Sequence, residues 1–232
     1  MDLDYKSDFE ESELSGKITE LRKQGQENST ETDKSNLIDG RQERATRTRL
    51  SIIDALLDLI VEGDLSPTAR QIAVRAGVSE RSVFQHFVDL ESLHRAVAER
   101  QLERTLSMVE EIPSILSFHE RVEKFIDQRG RILEALTPVR RAALAIEPHS
   151  QEIRRSRDLF YSLAKEQIEK VFQLEIESSI ETDKESFISA LDLVCSWNSW
   201  EYLRVQGHSI VGSKAVMKRA LLALLKESCK IN

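Results

Sequence analysis

Apolar side chains recur at helical spacing over most of the chain that follows residue 46. Between Arg47 and Gly63 they stand at positions 50, 53, 56, 57 and 60, which form one face of an amphipathic helix ended by the glycine. From Asp89 onward the helical period continues, and no segment alternates apolar and polar residues as a strand does. The pattern predicts an all-α protein.

Proline positions predict where the C-terminal helices begin and end. Proline lacks the backbone N–H and clashes with the preceding turn, so it favours helix boundaries. With Pro113, Pro138 and Pro148 taken as boundaries, the predicted helices lie near 89–110, 114–135, 138–146, 149–175, 183–206 and 213–229.

Two short helices joined by a tight turn are predicted between Thr68 and Phe87. Thr68 is a good N-cap for the first helix, and Gln71 three positions later completes a capping box. Gly77 can adopt the left-handed conformation that ends this helix, and Ser79 can cap the second one. The arrangement is a helix-turn-helix.

The two faces of the second short helix differ in character. Val83, Phe84 and Phe87 are expected to face the first helix, together with Ile72, Ala73 and Ala76 of that helix. The outward residues include Arg81, Ser82 and Gln85, which we predict to contact DNA bases, because arginine pairs with guanine and glutamine with adenine in the major groove. The alternative is an ordinary solvated helix face.

These features closely resemble the tetracycline-repressor (TetR) family of bacterial regulators over roughly residues 47–95. The resemblance implies a three-helix DNA-binding domain followed by a helical domain that binds a small-molecule effector and forms dimers. It also implies that Ser79 and His86 contact the DNA backbone. In that family the two C-terminal helices pair with the same helices of a second subunit, which here are segments 183–206 and 213–229.

The wide apolar faces of these two segments agree with a homodimer. Leu221 and Leu225, in the second segment, are the positions at which charged residues are predicted to disrupt it.

Two residues depart from the family pattern. Phe84 stands where a tyrosine is usual, and Leu90 where a lysine often follows the His-Phe pair. Both changes remove DNA-backbone contacts. Arg47 and Arg49, in an arginine-rich arm over residues 41–49, are predicted to compensate, and Thr68 is a further backbone candidate. The alternative for the arm is a solvated linker.

The charge of the chain is unevenly distributed. The net charge is −7, and residues 1–40 carry eleven acidic against five basic residues, whereas residues 41–49 carry four arginines and one glutamate. Phosphate binding depends on this local positive charge rather than on the sum. We predict a disordered acidic extension at 1–40, a DNA-binding domain at 41–88 and an effector-binding and dimerisation domain at 89–232.

Aromatic and polar residues of the C-terminal part predict an effector pocket. Such pockets are mostly apolar with a few polar groups that orient the ligand. The alternative for each aromatic residue is the ordinary core. The candidates are Phe118, Phe125, Arg129, Phe160, Trp197, Asn198 and Trp200.

Other functional classes lack support in the sequence. The five histidines have no metal-ligand spacing, and neither a glycine-rich phosphate loop nor a nucleophile elbow is present, so no metal, cofactor or catalytic residue is predicted and the protein is not expected to be an enzyme. The longest apolar run, Ala220–Leu225, is far shorter than the ~20 residues of a membrane helix. With two cysteines and no signal peptide, a cytoplasmic protein is expected.

The sequence therefore predicts a homodimeric, ligand-responsive transcriptional regulator, with a repressor favoured, that binds a near-palindromic operator in double-stranded DNA. The rival hypothesis is a helical interaction protein whose DNA binding is lost or secondary. The missing tyrosine hydroxyl, the missing lysine and the overall acidity support that rival.

Overall fold

A computed structural model describes residues 36–180 and 183–229, in which the regular structure is helical. The chain divides into two units between Ala45 and Thr46. The helices are α1 (Asn36–Val61), α2 (Ala69–Ala76), α3 (Glu80–His86), α4 (Leu90–Ser107), α5 (Phe118–Ile146), α6 (Gln151–Val171), α7 (Gln173–Ser178), α8 (Lys184–Val194), α9 (Trp197–Val205) and α10 (Ile210–Cys229). The predicted all-α fold is confirmed.

The helix-turn-helix forms through the caps that the sequence predicts. The Thr68 hydroxyl accepts a hydrogen bond from the Gln71 N–H at 3.3 Å, and the Gln71 side chain accepts one from the Thr68 N–H at 2.9 Å. Gly77 ends α2 with φ of 68°, where a side chain would be strained. Ser79 caps α3 by accepting from the Ser82 N–H at 3.1 Å. Local sequence thus determines where both short helices begin and where α2 ends.

One apolar core holds α1 to α4 together. Ile52, Leu56 and Ile72 are fully buried, as are Val83 and Phe87 at 1% and 2% exposure. The expectation that Phe84 also faces α2 is wrong, since its side chain is 50% exposed. With Val83 and Phe87 directed inward on this short helix, the helical period turns Phe84 toward solvent.

Ion pairs and hydrogen bonds join α1 to its neighbours. Arg75 of α2 forms a two-point ion pair with Glu62, at 2.8 and 2.5 Å, just after the end of α1. Asp54 of α1 accepts a hydrogen bond from Arg104 of α4 at 2.6 Å. These pairs are partly exposed, so each contributes little to stability.

A second core surrounds α5, which packs against α4, α6, α9 and α10. Phe125 and Phe172 meet edge to face with ring centroids 5.2 Å apart, and Trp200 is fully buried beside them. The buried guanidinium of Arg121 binds both oxygens of Glu175 at 2.5 and 2.9 Å, which ties α5 to α7. Removing either partner would leave a buried charge without its counter-charge.

Several predicted helix boundaries are wrong. Pro138 lies inside α5 rather than between two helices. Proline cannot donate to the carbonyl one turn before it, but the neighbouring Leu136 and Val139 are buried and hold the helix together. The predicted helix 183–206 is broken after Val194, because Ser196 caps a new helix by accepting from the Ser199 N–H at 3.2 Å.

The start of α1 is also earlier than predicted. The arginine-rich segment 41–49, which was predicted as an arm or a solvated linker, is part of this helix. Within the first unit, the Arg44 side chain donates to the Gly40 carbonyl at 2.9 Å. Most of the predicted acidic extension, residues 1–35, lies outside the described residues.

The C-terminal helices bury one face and expose the other. Leu221 and Leu225 of α10 are fully buried in the core of their own chain, so they are not the exposed interface positions that the sequence suggested. Leu193, Tyr202, Val205 and Val211 remain 64–77% exposed on α8, α9 and α10. In the described ranges 36–180 and 183–229, no helix is long and apolar enough to cross a membrane.

Candidate DNA-binding surface and effector cavity

The recognition helix α3 presents polar side chains opposite its buried anchors. Arg81 and Gln85 are exposed, one turn apart, while Ser82 is half-buried. Phe84 shares this outer side of α3. The surface offers two long hydrogen-bonding side chains and one aromatic ring, which suit base edges and a thymine methyl group in a major groove.

The candidate DNA-backbone contacts lie around this helix. Thr68 and Ser79 are exposed at the starts of α2 and α3, and His86 is half-buried in the last turn of α3. The Thr68 hydroxyl already donates to the Gln71 side chain at 2.6 Å. The capping role of Thr68 is therefore observed in the structure, whereas its contact with DNA stays a prediction.

Arg47 and Arg49 are both exposed on α1, but their surroundings differ. The Arg49 guanidinium lies over the Phe87 ring, 4.4 Å from its centroid, and donates to the His86 carbonyl at 3.4 Å. Arg47 lines a shallow cleft that also includes Asp54 and Asp58. Arg49 is thus attached to the end of the recognition helix, and Arg47 stands beside acidic residues.

The start of α4 matches the predicted position of Leu90. Asp89 is the N-cap, accepting from the Ser92 N–H at 2.7 Å, and Leu90 is the first helical residue, 39% exposed. The hydrogen bonds from Ser92 lower the pKa of the Asp89 carboxyl.

A cavity of about 80 Å³ lies between α4, α5 and α6, and we call it the α4–α6 cavity. Its walls are largely apolar and include Val97 of α4, Val139 of α5 and Ile153 of α6. Ile60, from the apolar core that holds α1 to α4 together, and Trp197 of α9 also contribute. The cavity therefore borders both apolar cores.

The seven predicted pocket residues lie at different places in the structure, and two of them line the cavity. Phe160 and Trp197 line the α4–α6 cavity. Phe125 and Trp200 are fully buried in the core around α5, Phe118 packs against that core, Arg129 is buried and Asn198 is exposed. Which of them contact an effector stays a prediction.

Polar groups that the sequence did not single out also line the cavity. They are His94, Gln101, Thr105, Arg140, Ser156 and Arg157. They come from three consecutive helices rather than from one, so no single local motif joins them. A charged residue on an otherwise apolar helix face, as Arg140 is within Val139–Ile146, is the one signal that the sequence offered.

Arg140 and Arg157 share the carboxylate of Glu147 at the cavity wall. Burial raises the pKa of Glu147, but the hydrogen bonds and charges of the two guanidinium groups outweigh it and hold the pKa below its usual range. Glu147 is therefore ionised at neutral pH. Arg140 also lies over the Trp197 ring, 5.4 Å from its centroid.

His94 is the titratable imidazole of the cavity. Its Nδ1 lies 2.6 Å from the Leu90 carbonyl, which assigns a proton to that nitrogen. Burial lowers the pKa of His94, and the hydrogen bond to Leu90 only partly opposes this effect. The ring is neutral at pH 7.

A buried polar cluster lies apart from the cavity, around Arg129. Its guanidinium donates to the Ala164 carbonyl at 2.8 Å and to Gln167 at 3.0 Å, and burial lowers its pKa. Burial raises the pKa of the nearby Cys195 thiol to about 12, although the charge of Arg129 opposes the shift. In the described ranges, no group of three histidine, cysteine or acidic residues could hold a metal ion.

Comparison with known proteins identifies the DNA-binding unit. The family model of bacterial regulatory proteins of the tetR family matches residues 52–97. This range runs from α1 through the helix-turn-helix into α4. No curated protein matches the chain.

Solved structures extend the likeness to most of the chain. A transcriptional regulator from Rhodococcus sp. Rha1 is similar with a TM-score of 0.62 at 12% identity, covering 81% of this chain and 99% of its own. A TetR-family transcriptional regulator from Streptomyces coelicolor gives 0.60 at 18% identity, covering 78% and 82%. At such identities the likeness shows a shared fold.

The helix-turn-helix and the helical part that follows it define a DNA-binding transcriptional regulator. Residues 52–97 match the tetR family of bacterial regulatory proteins, and the chain as a whole shares the fold of solved regulators of this kind.

Proposed function

We propose that this protein is a homodimeric repressor that leaves its operator when a small molecule occupies the α4–α6 cavity. The observation that carries the proposal is the outer side of α3, where Arg81 and Gln85 are exposed opposite the buried Val83 and Phe87. Residues 41–88 would read DNA, and residues 89–232 would sense the effector and form the dimer. Two copies of α3 would enter successive major grooves about 34–36 Å apart.

The exposed apolar residues of α8 to α10 support the homodimer. Val211 is 77% exposed and Val216 40% exposed on α10, beside helices that expose Leu193 and Tyr202. Burying such side chains against a second copy would stabilise a dimer by roughly 25 cal/mol per Å² of apolar surface. In a two-fold dimer the same surface of both copies meets, so this surface has to be self-complementary.

Shared residues support coupling between the cavity and DNA. Ile60, Val97 and Val139 belong to the apolar core of the DNA-binding unit and also line the cavity. The Arg104–Asp54 hydrogen bond at 2.6 Å joins α4 to α1. A ligand that separates α4 from α6 would favour a different position of the helix-turn-helix. Release of DNA then requires that the ligand bind this conformer more tightly.

The test of DNA binding is a mobility-shift titration with genomic fragments, followed by substitution of the base contacts. Arg81→Ala or Gln85→Ala should cost about 1–3 kcal/mol at the cognate site and much less on random DNA. Arg155→Ala, which removes an exposed arginine of α6, is the matched control. Equal losses on both DNAs would reject base contacts, and no shift at low salt would favour the helical interaction protein.

The test of assembly is the native mass of variants. Val211→Glu with Val216→Glu should convert a dimer at micromolar concentration into monomers, while Ile115→Glu, which alters a 91% exposed loop residue, should not. Leu221 and Leu225 are unsuitable, because charge there would unfold the monomer. A wild-type monomer would reject the two-groove arrangement.

A further inference from the structure

We propose that the α4–α6 cavity takes a linear aliphatic carboxylate, whose carboxylate group binds Arg140. The inference rests on the proposed function, since it names the chemical class of the effector. Four properties of the cavity carry it: the length of its wall, its apolar lining, one unpaired buried donor and the shared counter-charge of Arg140.

The wall of the cavity extends along three helices. Its positions run from residue 94 to 105 on α4, from 136 to 146 on α5 and from 153 to 161 on α6, or about 12–17 Å along each helix. A volume of about 80 Å³ spread over that length leaves a slender channel. Ligand pockets for compact drug-sized molecules hold roughly 300–1,000 Å³. A flexible chain therefore fits the channel better than a fused ring system.

Two of the polar groups on the wall are satisfied by near neighbours. The Ser156 hydroxyl donates to the Glu152 carbonyl at 3.0 Å, and His94 contacts the Leu90 carbonyl at 2.6 Å. The Ser156 hydroxyl and the His94 Nδ1 therefore need no ligand partner. A methylene chain can lie against these two groups without leaving either of them unpaired.

Arg140 differs from these groups. One of its terminal nitrogens binds Glu147, but its Nε is buried and has no hydrogen-bond partner among the described residues. A buried N–H without an acceptor is costly, and an arginine donor is strongest toward a carboxylate. An oxygen that reaches Nε from the cavity would remove this cost.

The ion pairs beside the cavity give Arg140 only a shared counter-charge. Arg140 and Arg157 both pair with the carboxylate of Glu147. Asp158 also pairs with Arg157, at 2.6 Å, so the four groups are neutral in sum and Arg157 has a second carboxylate. A ligand carboxylate would give Arg140 an acceptor that it does not share with Arg157.

The experiment is calorimetric binding of decanoate, below its micelle-forming concentration, and of 1-decanol, the uncharged chain of equal length, below its solubility limit. The wild-type protein should bind decanoate at least tenfold more tightly than 1-decanol. Arg140→Gln should abolish this preference while binding of 1-decanol persists. Arg141→Gln is the matched control, because this neighbouring arginine is 43% exposed and pairs with Glu201, so it should bind like the wild type.

A second variant should bind decanoate more tightly, which is an effect that damage to the fold would not produce. Glu147→Gln removes the carboxylate that competes for Arg140, so decanoate should bind several-fold more tightly and the affinity for 1-decanol should not change.

Three outcomes would overturn the proposal. They are equal binding of the two ligands by the wild type, a preference for decanoate that survives Arg140→Gln, and failure of both ligands to bind. Operator binding is measured separately without ligand, so a failed DNA shift rejects the regulator and a failed decanoate titration rejects only this ligand class.

Discussion

The guanidinium of Arg49 lies 4.4 Å from the centroid of the Phe87 ring and so connects the first helix to the end of the recognition helix. The same side chain donates to the His86 carbonyl, one of the unpaired acceptors at the end of α3. A cation at this position also interacts favourably with the negative end of the helix dipole. Arg49 therefore helps to fix the orientation of α3, which carries the predicted base contacts.

Arg49→Ala should lower the free energy of unfolding by about 1 kcal/mol, since a cation–π contact at an exposed site is worth ~0.5–1 kcal/mol and the hydrogen bond adds to it. Urea denaturation measures the change. Arg47→Ala removes an exposed arginine two residues earlier and should change stability by less than about 0.5 kcal/mol. Equal effects of the two substitutions would mean that the stacking contact contributes nothing.

Leu90→Lys should add one phosphate contact per subunit. Leu90 is the first residue of α4 and 39% exposed, so a lysine there would extend from the positive end of the helix. Affinity should rise about equally for operator and random DNA, and the salt slope should steepen by about 0.9 per contact, or roughly two for a dimer. Glu91→Gln is a control that removes charge without adding a donor. An unchanged slope would mean that Leu90 does not face the DNA backbone.

Cys195 should resist alkylation in the folded protein. With a pKa of about 12, only about one thiol in ten thousand is ionised at pH 8, whereas an unfolded cysteine near pKa 8.5 is ionised to about a quarter. Reaction with iodoacetamide should therefore be at least 1,000-fold slower than in denaturant. The measurement uses a Cys229→Ser variant so that only Cys195 reports. Rapid labelling of the native protein would contradict its burial.

Stability should fall as the pH drops from 7 toward 5, and His94 should account for part of the loss. Its folded pKa is lowered by burial, so the unfolded chain binds the proton more readily below about pH 6.5. His94→Asn keeps a donor for the Leu90 carbonyl but does not titrate. The difference in unfolding free energy between pH 7.5 and 5.5 should therefore shrink in this variant. An unchanged difference would mean that His94 does not contribute to the pH dependence.

Features set by neighbouring residues could be predicted from the sequence. Thr68, Gly77 and Ser79 act within their own turns, and each takes the cap position that its residue type favours. Pro138 was misplaced because packing on both sides outweighs the lost hydrogen bond. Phe84 was assigned to the wrong face because a seven-residue helix offers few positions from which to fix its phase.

Features that depend on distant segments could not be predicted in the same way. Leu221 looked like an interface residue, yet α5, almost a hundred residues earlier, covers it. Trp197 and Phe160 meet at the cavity with Arg140, which no spacing connects to them. An apolar helix face indicates that something covers it, and only the folded chain reveals whether the cover is its own core or a second copy.

Ile60 belongs to the core of the DNA-binding unit and to the wall of the cavity. In the regulator proposed above, a mutation of Ile60 would alter ligand fit and operator affinity together, so selection on either trait would be constrained by the other. Phe160 and Tyr161 line the same cavity from α6 without entering that core. Evolutionary changes in effector preference should therefore accumulate on α6. Substitutions there could change which ligand is recognised and leave the controlled genes the same.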